Sequence, residues 1–239
     1  MKENRDVTIC LSEADVLKSQ GNDLFRSGRW GEALVAYQSG LGQLPKRKQK
    51  VTSGKVEFNG PIDDDEDKED NKVDNESSIN DDDSLEATPA TETDILCSKA
   101  RAILSANIGA CHLKLGDYKS AVETCSQALL DDPRYVKALQ RRALSNEKIN
   151  SWSSLTSAQE DYTFLLTLLP TSSPLVKETE QSLRRVKPLA EAAQKTETTE
   201  MLNKLKGLGN SILGNFGLST DNFKFEPNGQ GGYSMNFSP

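Results

Sequence analysis

Two short stretches combine residue types able to grip an anion. In Lys18-Ser-Gln-Gly-Asn22 an ammonium and an amide stand four residues apart, and in Lys137-Ala-Leu-Gln-Arg141 an ammonium and a guanidinium do the same. On a helix that spacing puts both members of a pair on one face. Lysine offers a point charge, arginine a planar fork and asparagine an amide, a set suited to a carboxylate. Each pair alone also fits an ordinary solvated helix face. The elements that carry the pairs therefore decide between the two readings.

The whole chain has 239 residues and a net charge of −7, spread unevenly. Residues 55–95 hold 16 of the 36 acidic residues and three lysines, leaving 20 acids against 26 Lys and Arg elsewhere. Outside this stretch the chain is mildly basic, which favours anionic ligands; no nucleic acid is expected as a partner. Only 35% of residues are hydrophobic, so part of the chain is expected to lack a packed core.

Four cysteines (Cys10, Cys97, Cys111, Cys125) form no Cys-x-x-Cys pair and there is one histidine, His112, so no zinc site is expected. Cys111 and Cys125 fall in apolar helical patterns and read as buried thiols. His112 reads as a packing residue, and Lys114 and Arg142 as solvated or peripheral. The polar N-terminus lacks a signal-peptide pattern, and no apolar run reaches the roughly 20 residues needed to span a bilayer. These features are expected of a cytoplasmic protein. There is no Gly-x-Ser-x-Gly, no phosphate-binding loop and no nucleophile arrangement, so neither an enzyme nor a cofactor is expected. The glycines from Gly207 to Gly214 loosely match a dinucleotide fingerprint, but no strand precedes them.

A helical pattern starts at Glu13, with Ser12 as the expected cap, and carries Val16, Leu17, Gly21, Leu24 and Phe25 on one face before Gly28. A second pattern runs from Trp30 through Ala33, Leu34, Tyr37 and Leu41 to Pro45, with Lys46–Lys50 as an expected extension. Gly21, Gly28, Trp30, Ala33, Tyr37, Leu41 and Pro45 recur at an offset of 88 as Gly109, Gly116, Tyr118, Ala121, Cys125, Leu129 and Pro133. A third unit follows with Ala143, Trp152, Ala158, Tyr162, Leu166 and Pro170. In it Asn150 replaces the turn glycine, and three extra residues are expected to lengthen the loop around Ser153–Leu155.

Helix–turn–helix units of about 34 residues with small, aromatic and proline positions in this order resemble tetratricopeptide repeats. The resemblance implies an all-α fold of three units in a short superhelix. The expected layout is a flexible lead (1–12), unit one (13–47), an acidic disordered insert (48–93), unit two (94–134) and unit three (135–171). A capping helix (172–196), bent at Pro188, covers the last apolar face, and an apolar helix with a β-hairpin (197–239) completes the chain. The insert reads as a tolerated surface loop, with an acidic mimic competing for the groove as the alternative.

In the last segment Met201, Leu202, Leu205, Leu208, Ile212 and Phe216 trace one stripe. Phe223 and Phe225 alternate with polar residues, as do Tyr233, Met235 and Phe237, around Pro227–Gly232. A lone hairpin is marginal in water, so it is expected to dock on something. This tail resembles that of the tetratricopeptide repeat protein 1 family.

Such arrays include chaperone-binding members with a two-carboxylate clamp. The resemblance implies that Lys18, Asn22, Asn107, Lys137 and Arg141 converge in one groove to hold the C-terminal Glu-Glu-Val-Asp peptide of heat-shock protein 70 or 90 chaperones. The implied function is a non-enzymatic adaptor or co-chaperone. The alternatives are a chaperone-independent scaffold working through the C-terminal element, or an apolar helix lying on an anionic membrane through Lys204 and Lys206, which the glycines and the hairpin argue against.

Overall fold

The computed structural model describes residues 6–47, 91–227 and 232–238. Seven α-helices make up almost all of it: α1 (Val7–Arg26), α2 (Trp30–Gln43), α3 (Glu92–Leu115), α4 (Tyr118–Asp131), α5 (Val136–Ile149), α6 (Trp152–Leu168) and α7 (Pro174–Leu213). Each packs against the next, and α1, α3 and α5, the first helices of the three units, also touch in series.

Helix α1 starts earlier than expected. Asp6, not Ser12, is the cap, its carboxylate accepting from the Thr8 amide at 2.9 Å. An aspartate is as good a cap as serine, and Cys10 on the added turns is buried. Helix α2 stops at Gln43 and is not extended by the lysines. Leu44 is extended (φ −77°, ψ 146°), as the residue before Pro45 must be. Helix α3 begins at Glu92, inside the expected insert, because Thr91 and Asp94 form a reciprocal capping box. The expectations for residues 48–90 lie outside the described residues.

The unit turns need a left-handed residue. Gly28 (φ 78°) and Gly116 (φ 82°) supply it, and Asn150 (φ 58°) does the same in unit three, as asparagine can. The three extra residues of that unit do not lengthen a loop. Ser151 caps α6 directly, its hydroxyl accepting from Ser154, and the extra residues join the helix, which runs 17 residues against 14 in α4.

The core has three parts. Ala14, Ala33, Tyr37, Leu104, Ile108 and Cys111 join units one and two. Ala106, Ala128 and Ala138 form an alanine-lined junction between units two and three. Leu139, Ala143, Leu155, Ala158, Tyr162, Leu165, Val186 and Ala190 join unit three to α7. The repeat glycines have a steric reason: a Cβ on Gly21 would lie 2.5 Å from Tyr37 Cε1, and one on Gly109 would lie 2.5 Å from Cys125 Sγ.

An ion-pair hub ties the two sides of the insert together. Asp131, with its side chain only 3% exposed, accepts from Arg47 at 2.7 Å and from Arg101 at 2.8 Å, and Arg101 also donates to the Pro45 carbonyl at 3.0 Å. Burial alone would raise the Asp131 pKa, but the hydrogen bonds from Arg47 and Arg101 outweigh it and the carboxyl is held below its usual range.

Helix α7 is one unbroken helix of 40 residues, capped by Ser173 and continuous through Pro188, so the expected division at 196/197 falls inside it. Its first half covers unit three through Thr179, Ser182, Val186 and Ala190. Its second half leaves the array. After two 3₁₀ turns, β1 (Phe223–Pro227) and β2 (Tyr233–Phe237) pair antiparallel, Phe223 opposite Phe237. The hairpin, expected to dock on something, meets α7 rather than the repeat units among the described residues. It is held near the end of α7 by a Thr220 amide donating to Asn210 Oδ1 at 2.6 Å, and closed by bonds between Asn222 and Ser238.

Candidate functional site

The inner helices α1, α3 and α5 line an open groove of about 410 Å³, and all five residues singled out by their types and spacing lie in its wall. Lys18 and Asn22 come from α1, Asn107 from α3, and Lys137 and Arg141 from α5. The one-turn spacing on α1 and α5 aligns each pair along the groove.

Hydrogen bonds to their oxygens set the polarity of the two amides. Tyr37 O–H donates to Asn22 Oδ1 at 2.8 Å. Arg141 Nη1 donates to the Ala106 carbonyl at 2.7 Å and to Asn107 Oδ1 at 3.2 Å. Both amide oxygens are thus engaged, and among the described residues neither amide nitrogen has an acceptor. The groove therefore offers two N–H₂ groups as donors. Burial pushes the Tyr37 phenol up to about 12, so it remains an O–H donor across the physiological range.

The cations differ in how far they are neutralised. Lys18 pairs with Asp15 one turn back on α1. Lys137 is exposed, and among the described residues no carboxylate pairs with it. Arg141 is half-buried and held by the two oxygens just named, which fixes its fork.

Several lining residues escaped the sequence reading. Phe25, Ile103, Ala110 and Tyr135 form an apolar part of the wall, and Arg26 adds a further cation. Arg26 continues the spacing of Lys18 and Asn22 by another four residues, a signal that was available. It is committed in part to Asp23 at 2.5 Å. The partners of Tyr37 and Ile103 come from a neighbouring helix and have no local signature.

One reading of a peripheral residue changes. Arg142 is not a solvated arginine: it makes a forked pair with Asp161 at 2.6 and 2.9 Å and donates to Ser126 at 3.2 Å. His112 packs as expected, its side chain 15% exposed. Its Nδ1 lies 3.2 Å from Asp117 at the end of α3. Burial raises the thiols of Cys111 to about 11 and of Cys125 to about 12, which keeps them protonated and unreactive. Among the described residues no cluster of His, Cys, Asp and Glu could hold a metal, and no helix is long and apolar enough to cross a membrane.

The fold defines a class: the chain is an all-α tetratricopeptide repeat array of three units with a helical cap and a small two-stranded sheet. It overlays the C-terminal TPR-containing domain of a Plasmodium falciparum FK506-binding protein with a TM-score of 0.52 at 18% identity, covering 80% of this chain and 97% of that one. At a lower TM-score of 0.45 and 20% identity it is similar to the first TPR of Spaghetti (RPAP3) bound to the HSP90 peptide SRMEEVD, over 74% of this chain and 94% of that one. No family model matches the sequence. In sequence it is similar to the peptidyl-prolyl cis-trans isomerase PASTICCINO1 of Arabidopsis thaliana, 28% identical over 137 residues, which is 56% of this chain and 15% of that protein. It is also similar to sperm-associated antigen 1 of Rattus norvegicus, 29% identical over 150 residues, 63% of this chain and 11% of that protein. The chain thus spans less than a fifth of the curated relatives it matches.

Proposed function

We propose that the chain is a non-enzymatic adaptor that grips the acidic C-terminus of a heat-shock protein 70 or 90 family chaperone in the groove of α1, α3 and α5. The observation that carries this reading is the polarity of the groove. Three inner helices contribute cations and two amides whose oxygens are already occupied. A groove with donors on all three helices suits a ligand rich in acceptors. A chain-terminal aspartate presents two carboxylates a few ångströms apart, one from its side chain and one from the main chain.

Lys137 and Lys18 would supply point charges, Arg141 a fork and Asn22 and Asn107 amide donors. The apolar wall of Phe25, Ile103 and Tyr135 would hold an aliphatic side chain beside the carboxylates. Each charged hydrogen bond contributes about 1.5–3 kcal/mol. Such a partner would place the work of this chain in the cytoplasm.

The test is a fluorescence-anisotropy titration with a Glu-Glu-Val-Asp peptide bearing a free carboxylate, alongside its C-terminal amide. The wild type should bind the acid and lose the amide. Lys137→Ala combined with Arg141→Ala should weaken binding by about 100-fold, since 1.4 kcal/mol is tenfold. Equal affinity for both proteins, or for both peptides, would remove the reading.

A second reading, a chaperone-independent scaffold, is favoured by the apolar surface of the C-terminal segment, where Leu205 is 57% and Phe216 is 76% exposed. Deleting residues 196–239 separates the two. Loss of every partner with peptide affinity intact would favour the scaffold.

A further inference from the structure

Helix α7 makes its last described hydrogen bond to the array where Glu197 Oε1 accepts from the Trp152 amide at 2.7 Å. Beyond that point it continues to Leu213, about 24 Å at 1.5 Å per residue. Met201, Leu205, Leu208 and Ile212 are spaced 4, 3 and 4 residues apart on this overhang, with Leu202 beside them, all 57–65% exposed. Phe216 extends the ridge just past the helix end and is 76% exposed. The overhang propagates from the packed half of α7, but Gly207 and Gly209 weaken it and it gains little from packing on the array.

The hairpin does not supply that packing. The chain that leads into it sits against Lys206, Gly209 and Asn210, a face about a third of a turn from the ridge at 100° per residue. Lys206 pairs there with Asp221 at 2.7 Å, and a Cβ on Gly209 would lie 2.9 Å from Thr220. The ridge stays uncovered among the described residues.

An aromatic side chain offers about 150–250 Å² and an aliphatic one somewhat less, so the six exposed residues present on the order of 700 Å² of apolar surface. That exceeds the largest apolar patch of an ordinary monomer, about 300–600 Å², and matches the roughly 800 Å² that each partner buries in a stable complex. The charges select the occupant. Residues 197–239 carry four acids and three lysines, nearly neutral, and one lysine is already paired with Asp221. An anionic lipid surface requires a strongly basic face, which is missing. Two identical near-neutral segments approach without repulsion, and a 4-3-4 seam is the pattern that a like helix fills.

We propose that the overhang of α7 is a self-association surface, and that a second copy of this chain packs its own ridge against it about a two-fold axis. Each ridge then covers the other, as an isologous contact demands. The groove of α1, α3 and α5 takes no part in this contact.

The experiment is sedimentation velocity on the full chain from about 1 to 100 µM, a range that resolves micromolar dissociation constants. The wild type should shift from one copy towards two copies as concentration rises. Leu205→Glu combined with Leu208→Glu, at positions already exposed, should hold the mass at one copy throughout while leaving helical circular dichroism and peptide binding unchanged. As a second measurement, Leu208→Cys should cross-link between copies under mild oxidation, since the four native thiols are buried. A wild type that stays at one copy throughout overturns the proposal, as does a double variant that associates as well as the wild type. Flotation of a single-copy wild type with phosphatidylserine vesicles would overturn it in favour of a membrane face.

Discussion

Units one and three use the same tyrosine in opposite ways. Tyr37 O–H donates to Asn22 at 2.8 Å, and Tyr162 O–H donates to Glu147 at 2.7 Å, each across 15 residues. In unit one the acceptor is an amide on the groove wall. In unit three it is a carboxylate, 13% exposed, that also receives Arg185 of α7 at 2.8 Å. The first arrangement leaves an N–H₂ in the wall of the groove. The second closes the chain's own cap onto the array. One repeat geometry thus yields an open groove at one end and a sealed cap at the other, and the residue facing the tyrosine decides which. The three residues added to α6 move that facing position by three on α5, about one helical turn.

The comparison can be broken most strongly at Gly21. Gly21→Ala would push a methyl into the Tyr37 ring and should cost about 3 kcal/mol, at the upper end of overpacking penalties. Thermal unfolding checks this, with Gly31→Ala, which meets nothing within 4 Å, as a neutral or slightly stabilising control.

Glu147→Ala should cost about 2 kcal/mol, because it strands the buried Tyr162 hydroxyl, yet leave peptide affinity unchanged. Urea unfolding beside a peptide titration reads both. Tyr37→Phe should reverse that pattern. Stability should fall by only about 1 kcal/mol, while peptide affinity drops several-fold because Asn22 is no longer held with its nitrogen outward.

The smallest effect concerns the hub that closes the insert. The Asp131 pKa is depressed in the folded chain, so its contribution is present above the unfolded carboxylate value of about 4 and lost as the pH falls through the lower folded value. Acid unfolding should therefore be steeper for the wild type than for Asp131→Asn, with the gap closing at the lowest pH. Equal slopes would show that Arg47 and Arg101 do not hold that carboxyl.

Much of the array was legible because each repeat position has a local cause. The turn at Gly28 and Gly116 needs a left-handed residue, and Gly21 and Gly109 need to lack a Cβ. These demands recur at a fixed offset and so betray themselves without a structure. Element ends were harder to read. Asp6 and Ser12 are both good caps, and the burial of Cys10 between them settles the choice. Asn150 was read as a departure from the turn glycine, and it adopts the glycine's conformation.

By itself the sequence determined the helix-turn-helix units, the inner-helix positions of Lys18, Asn22, Asn107, Lys137 and Arg141, and the apolar stripe from Met201 to Ile212, because periodicity and residue type are local properties. Only the tertiary structure decided that Tyr37 and Arg141 occupy the two amide oxygens and that Arg142 belongs to Asp161. It also decided that α7 runs on past the array with its stripe uncovered. Those outcomes depend on which side chains meet across helices far apart in the chain, and a hydrogen bond's direction or a ridge's exposure exists only once they have met.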